Sequence, residues 1–225
     1  MMLATRVWGS GPRTAVLVHG IMTDSRTWNR VAPAVADRGY RVIAVDLRGH
    51  GASGHGENYT PAVLAADLLE TLPPAPDLAI GHSLGSAALL TALPRLRCAR
   101  AIHCDPAWVS RPRDLAALRA VKHATWQELR AAHPRWHDDD ITAEHRALAT
   151  WDPSSVAALM HLPGLPTAPA VPSLVLLADP SERIPPVAAA TLRRRGWHTR
   201  TVDGAGHTVH RDDPVGFLHG LSGWL

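Results

Sequence analysis

No stretch constrains this chain more than Gly81-His82-Ser83-Leu84-Gly85. A short apolar run, Leu78-Ala79-Ile80, enters it, and a helix-forming run, Ala87-Ala88-Leu89-Leu90, leaves it. The pattern predicts a strand that turns sharply into a helix with Ser83 at the apex. Such a turn forces its central residue into a strained conformation and crowds the neighbouring chain. The positions two before and two after then need glycine, which has no Cβ to collide. A hydroxyl held above a sheet edge is the result, with the Leu84 N–H at a helix start, where negative charge is favoured. A five-residue pattern with three fixed positions also arises by chance; the strand before it and the helix after it are what make Ser83 a candidate nucleophile.

The rest of the chain repeats this strand-then-helix order. Residues 3–8 and 14–18 read as strands around the turn Gly9-Ser10-Gly11-Pro12, and no Gly-Lys-Ser/Thr follows to make that turn a phosphate loop. Ser25 opens a helix to about Asp37, stopped by Gly39, and residues 41–45 form the next buried strand. Thr60-Pro61 starts a helix that Pro73-Pro74 closes. A strand over 100–104 is followed by helical patterns at 112–122, 125–132 and 139–150 and a proline-rich stretch from Pro163 to Pro172. Then come a strand at 173–178, a helix at 185–195, a strand at 198–202, a loop through His207 and a helix over 214–225. Strands alternating with helices through short loops predict an α/β fold with a mostly parallel, doubly wound sheet. In such a sheet reactive groups belong at the carboxyl ends of the strands. His19, Asp46, Ser83, Asp105, Asp179 and His207 all fall there.

At 225 residues and 46% apolar content the chain is expected to be a single domain, 1–225, with residues 106–172 as an insertion. No apolar window reaches the length of a membrane span, and Met1-Met2-Leu3-Ala4-Thr5-Arg6 lacks the apolar stretch of a secretory signal, so a cytoplasmic protein with no membrane partner is expected. A net charge of +3 and one dense basic run, Arg193-Arg194-Arg195 at a helix end, give no footprint for nucleic acid. Cys98 and Cys104 flank one strand and read as reduced thiols in or near the core. Asp138-Asp139-Asp140 reads as a helix start and not as a metal cluster. The partner this leaves is a small-molecule substrate; nothing in the sequence sets an oligomeric state.

Four landmarks in order, His19-Gly20, Asp46-Leu47-Arg48-Gly49-His50-Gly51, the Ser83 pentapeptide and Gly206-His207, cover nearly the whole chain. On these residues the sequence resembles the α/β-hydrolase family, whose order of nucleophile, acid and histidine it shares. The resemblance implies a serine hydrolase with Ser83 as nucleophile and His207 as base. For the acid it implies Asp179, after Leu176-Leu177-Ala178, with Asp105 and Glu182 as alternatives. A glycine before that aspartate, usual in the family, is missing here. It implies an oxyanion hole from the Leu84 and Ile21 N–H groups, with Met22 in place of Ile21 as the alternative. His210 and His219 read as surface histidines. A metal at His207-x-x-His210 with Asp212 is disfavoured because it would remove the base. By resemblance 106–172 is a helical lid carrying Trp108, Trp126, Trp136 and Trp151, and Met22, Trp28 and Trp108 line the substrate pocket. The implied activity is cofactor-independent cleavage of a carboxylic ester, lactone or thioester with an apolar portion. The alternatives are a carbon–carbon bond hydrolase, a perhydrolase, or a non-catalytic binding protein on the same fold.

Overall fold

The computed structural model describes residues 1–109 and 115–225. The first three residues of the helix expected at 112–122 therefore lie outside the described residues. The chain opens with β1 (Thr5–Trp8) and β2 (Arg13–Val18), then a 3-10 turn (Ser25–Trp28), α1 (Ala32–Ala36), β3 (Tyr40–Val45), α2 (Pro61–Thr71), β4 (Leu78–His82) and α3 (Ser83–Leu96). After β5 (Ala101–Cys104) come α4 (Leu115–Ala120), α5 (Trp126–Ala132), α6 (Asp138–Thr150) and a 3-10 stretch, Pro153–Met160. The chain returns through β6 (Ser173–Leu177), α7 (Pro186–Arg194), β7 (His198–Thr201), α8 (Val209–Asp212) and α9 (Pro214–Gly220).

The seven strands lie in the order β1-β3-β2-β4-β5-β6-β7, with β1 antiparallel to β3 and every other pair parallel. Alternation along each strand fills both faces, which is why the central strands read as unbroken apolar runs. Val16 and Val18 pack with Leu64, Leu68, Leu89 and Leu93 of α2 and α3. Ala15 and Leu17 turn the other way, against Trp28, Val35, Phe217 and Leu221. Register then fixes the site: His82 pairs with Cys104 and Cys104 with Leu176, so Ser83 and Asp105 emerge side by side from neighbouring strands.

Some boundaries differ from the sequence reading. The single helix expected over 25–37 is broken after Trp28, because Pro33 in the first turn of α1 has no N–H to bond back across the break. α8, a single turn, is too short to show a period and falls where a loop was expected. Thr60 sits at the start of α2 without a capping bond from its hydroxyl. Both cysteines are free and buried. Among the described residues no helix is long and apolar enough to cross a membrane.

Candidate active site

Ser83 stands between β4 and α3 with φ +49, in the left-handed region a serine rarely adopts. The flanking glycines are required by close approach. A Cβ on Gly85 would lie 2.2 Å from the His19 carbonyl oxygen and 2.5 Å from that of Val18, and one on Gly81 would lie 2.8 Å from Ser86 Cα. The helix start is thus pressed onto the end of β2, which brings the His19-Gly20 loop to the serine. Ser86, where the sequence lacks a further glycine, pairs its hydroxyl with His103 Nδ1 at 2.7 Å.

His207, on the loop after β7, places Nε2 3.0 Å from Ser83 Oγ. Its Nδ1 lies 2.6 Å from Asp105 Oδ2. The proton between them therefore sits on Nδ1, which leaves Nε2 free to accept from the serine hydroxyl. Asp105 is 1% exposed and has φ +35. Its second oxygen accepts from Ser181 Oγ at 2.5 Å and from the Ala178 amide at 3.3 Å. Its buried charge is consequently hydrogen-bonded on both oxygens.

This arrangement corrects the choice of acid made from the sequence. Asp179 is exposed and accepts from the Gly204 amide at 3.1 Å, while its own amide donates to the Ala205 carbonyl at 2.8 Å. It ties down the loop that carries His207 but does not touch the imidazole. Glu182 is also exposed and makes no bond to His207. Both Asp105 and Asp179 follow buried strands at the same edge; the difference lies in where each carboxylate turns.

The loop after β2 is held by two histidines. His19 accepts the Leu47 amide on Nε2 at 2.9 Å, so its Nδ1–H donates to the Gly20 carbonyl at 2.6 Å. That bond fixes the plane of the Gly20–Ile21 peptide. His50 accepts from the Met22 amide at 3.3 Å on Nε2 and donates from Nδ1 to the Arg48 carbonyl at 2.9 Å. The Met22 N–H is therefore engaged, whereas among the described residues the Ile21 N–H has no acceptor. Leu84 N–H lies in the first turn of α3, where no intrahelical acceptor exists. Asp46, from the second landmark, accepts the Ser25 and Ala52 amides at 2.8 and 2.9 Å and so braces the neighbouring loop.

A cavity of about 280 Å³ opens on Ser83 and His207. Its apolar wall comes from Ile21, Met22, Leu118, Val121, Leu129 and Leu159, closed at one side by Trp136. Glu144, Arg183 and Arg211 bring charge to it. Of the three pocket residues expected, Met22 lines the cavity and the two tryptophans do not. Trp28 is fully buried and stacks on His210 at 4.2 Å, and Trp108 is buried beside His103 and Trp197. Rings of that size gain more from complete burial under the sheet than from a half-wet wall. His210 is likewise a core residue and not a surface one, with Nε2 2.8 Å from Thr27 Oγ1. Asp212 instead accepts from Trp136 Nε1 at 2.9 Å, so His207, His210 and Asp212 each face a different partner. Asp140 is buried in the first turn of α6, near Arg30 and Arg211. Trp136, expected as a lid tryptophan but not as a pocket residue, lines the cavity, and the residues that sequence reasoning missed here, His133, Glu144 and Arg211, sit on elements whose facing depends on how they fold back over the sheet, which spacing does not encode.

Burial keeps several of these imidazoles neutral. His19, His50, His82, His103 and His210 are all pushed below the ordinary histidine value, chiefly by desolvation, His50 and His103 to about 3. His82, whose ring lies 4.8 Å from His207 and whose Nε2–H donates to the His207 carbonyl at 3.0 Å, is further disfavoured as a cation by His207 and His210. The sign of the linkage follows: below about pH 6.5 the unfolded chain binds protons that the folded chain refuses. Stability should therefore fall with falling pH from about 6.5 toward 3, by up to about 1.4 kcal/mol per pH unit for each such histidine. Urea unfolding midpoints measured at pH 7.5, 6 and 4.5 should drop in that order. A flat series would contradict neutral burial.

Residues 15–219 match the family model described as the alpha/beta hydrolase family. The chain belongs to that family. A mouse relative, sn-1-specific diacylglycerol lipase ABHD11, is 25% identical, with 93% of this chain and 80% of that protein aligned. An uncharacterized Mycobacterium tuberculosis protein is 44% identical over a shorter stretch of 86 residues, 36% of this chain and 25% of its own length. Among solved structures, a thermophilic esterase from Thermogutta terrifontis superposes with a TM-score of 0.76 at 23% identity, covering 99% of this chain and 92% of its own. An enol-lactonase from Burkholderia xenovorans gives 0.79 at 22%, covering 99% and 95%. These structures share the fold.

Proposed function

We propose that this protein is a serine hydrolase that cleaves a carboxylic ester, lactone or thioester through an acyl-enzyme. The observation that carries this reading is the unbroken relay from Ser83 Oγ to His207 Nε2 and from His207 Nδ1 to Asp105 Oδ2. Ser83 attacks the carbonyl carbon while His207 Nε2 takes its proton, and Asp105 stabilises the imidazolium that forms. The negative oxygen of the tetrahedral intermediate is received by the Ile21 and Leu84 N–H groups. Collapse expels the alcohol or thiol, protonated by His207. Water, deprotonated by the same imidazole, then releases the acid and restores Ser83. No cofactor enters this scheme. Residues 1–225 act as one domain, with 106–172 as its lid and the apolar wall of the cavity taking the apolar part of a small-molecule substrate.

A fluorophosphonate probe tests the nucleophile directly. Fast labelling that maps to the Ser83 peptide is expected, because the relay that activates the serine toward esters also activates it toward phosphorus. Absence of labelling would favour a ligand-binding protein on this fold.

A further inference from the structure

The charges in the cavity do not cancel. Of the three charged side chains that line it, Arg211 and Glu144 are joined at 2.6 Å and neutralise each other, with the Arg211 guanidinium 4.6 Å over the Trp136 ring. Arg183 has neither an ion pair nor a hydrogen bond among the described residues. It is half-buried on the segment between β6 and α7. Of the carboxylates beside it, Asp105 is committed to His207, Ser181 and Ala178, and Glu182, turned to solvent, forms no ion pair with it among the described residues. A guanidinium without a partner beside an apolar wall is an anion site in waiting, since its planar fork matches a carboxylate bidentately. One cation suits one negative charge, which selects a carboxylate over a phosphate dianion.

Its position also says which half of the substrate bears that charge. Arg183 and His207 together line both the Ser83 cavity and a second recess, of about 320 Å³, whose other walls are Asp105, Pro180, Glu182 and Gly206 and which has none of the apolar wall. His207 is the group that protonates the departing oxygen in the proposed reaction, so what lies on its side of the serine is the leaving group. We infer that Arg183 makes this enzyme selective for esters whose alcohol half carries a carboxylate, while the apolar wall holds the acyl half. This inference rests on the proposed Ser83 chemistry.

The test compares 4-acetoxybenzoate, its methyl ester and monophenyl succinate as substrates for the wild type, Arg183→Gln and Arg183→Lys. The ratio of kcat/KM for 4-acetoxybenzoate to that for its methyl ester cancels intrinsic reactivity within each comparison of enzyme forms. That ratio should fall about tenfold or more in Arg183→Gln, the order expected for a charged hydrogen bond, and recover in part in Arg183→Lys. An unchanged ratio would overturn the inference while leaving the serine hydrolase reading intact. A selective loss on monophenyl succinate would also overturn it, by moving the carboxylate to the acyl half. If the wild type turns over none of the three esters and Ser83 resists the fluorophosphonate, the reading beneath it fails too.

Discussion

Ser83→Ala is expected to lower kcat/KM for any hydrolysed ester by at least about a thousandfold, the order seen when a member of such a triad is removed. The loss should appear in kcat, because the hydroxyl becomes a covalent participant only on the way to the acyl-enzyme. The fold should survive. Alanine keeps the Cβ that already fits beside Gly20, and the deleted oxygen gives up one hydrogen bond, to His207 Nε2 at 3.0 Å. The strain of φ +49 is the same for both residues. Unfolding midpoints for the two proteins should accordingly lie close together while their turnover numbers diverge. Comparable hydrolysis by the alanine variant would sink the nucleophile assignment.

How much of this site was legible in the sequence depends on how local each constraint is. The Ser83 turn was readable because the glycines it needs, Gly81 and Gly85, answer to backbone atoms a few ångströms away, and the strand and helix that flank it are contiguous in the chain. The sheet was readable because strands buried on both faces, such as Tyr40–Val45 and Ser173–Leu177, have little choice but to be apolar throughout. The edge at which His207 would appear follows from the same parallel topology. What the sequence withheld is direction. Asp105 and Asp179 both succeed buried strands at one edge, and only the turn of each side chain separates a carboxylate on His207 from one on the Gly204 amide. The tryptophans failed for a similar reason: Trp28 and Trp136 are chemically identical, yet one is packed under the sheet and the other closes the cavity. Arg183, flanked by Glu182, looks in sequence like half of a solvated pair, and its lack of a partner emerges only in three dimensions.

Asp105→Asn should be nearly as damaging as the loss of the serine, with kcat reduced by about 10³–10⁴-fold, although the side chain keeps its size. The reason is the tautomer. Asp105 Oδ2 accepts the Nδ1 proton of His207 at 2.6 Å and thereby leaves Nε2 bare toward Ser83. An asparagine that keeps its oxygen toward the donors Ser181 and Ala178 presents its NH₂ to Nδ1. The imidazole then carries its proton on Nε2, where it cannot accept one from the serine, and the imidazolium formed during attack loses its counter-charge. Asp179→Asn is the matched control. Its carboxylate holds only the Gly204 amide, an exposed contact that an asparagine oxygen can still accept, so activity should fall by no more than a few-fold. Raising the pH should restore part of the Asp105→Asn activity, because hydroxide can take the serine proton that the mis-protonated imidazole no longer removes; the same change should do little for Asp179→Asn. Steady-state kinetics on both variants, with one ester and across pH 6 to 10, decides the matter. A larger loss in Asp179→Asn than in Asp105→Asn would return the acid to the end of β6.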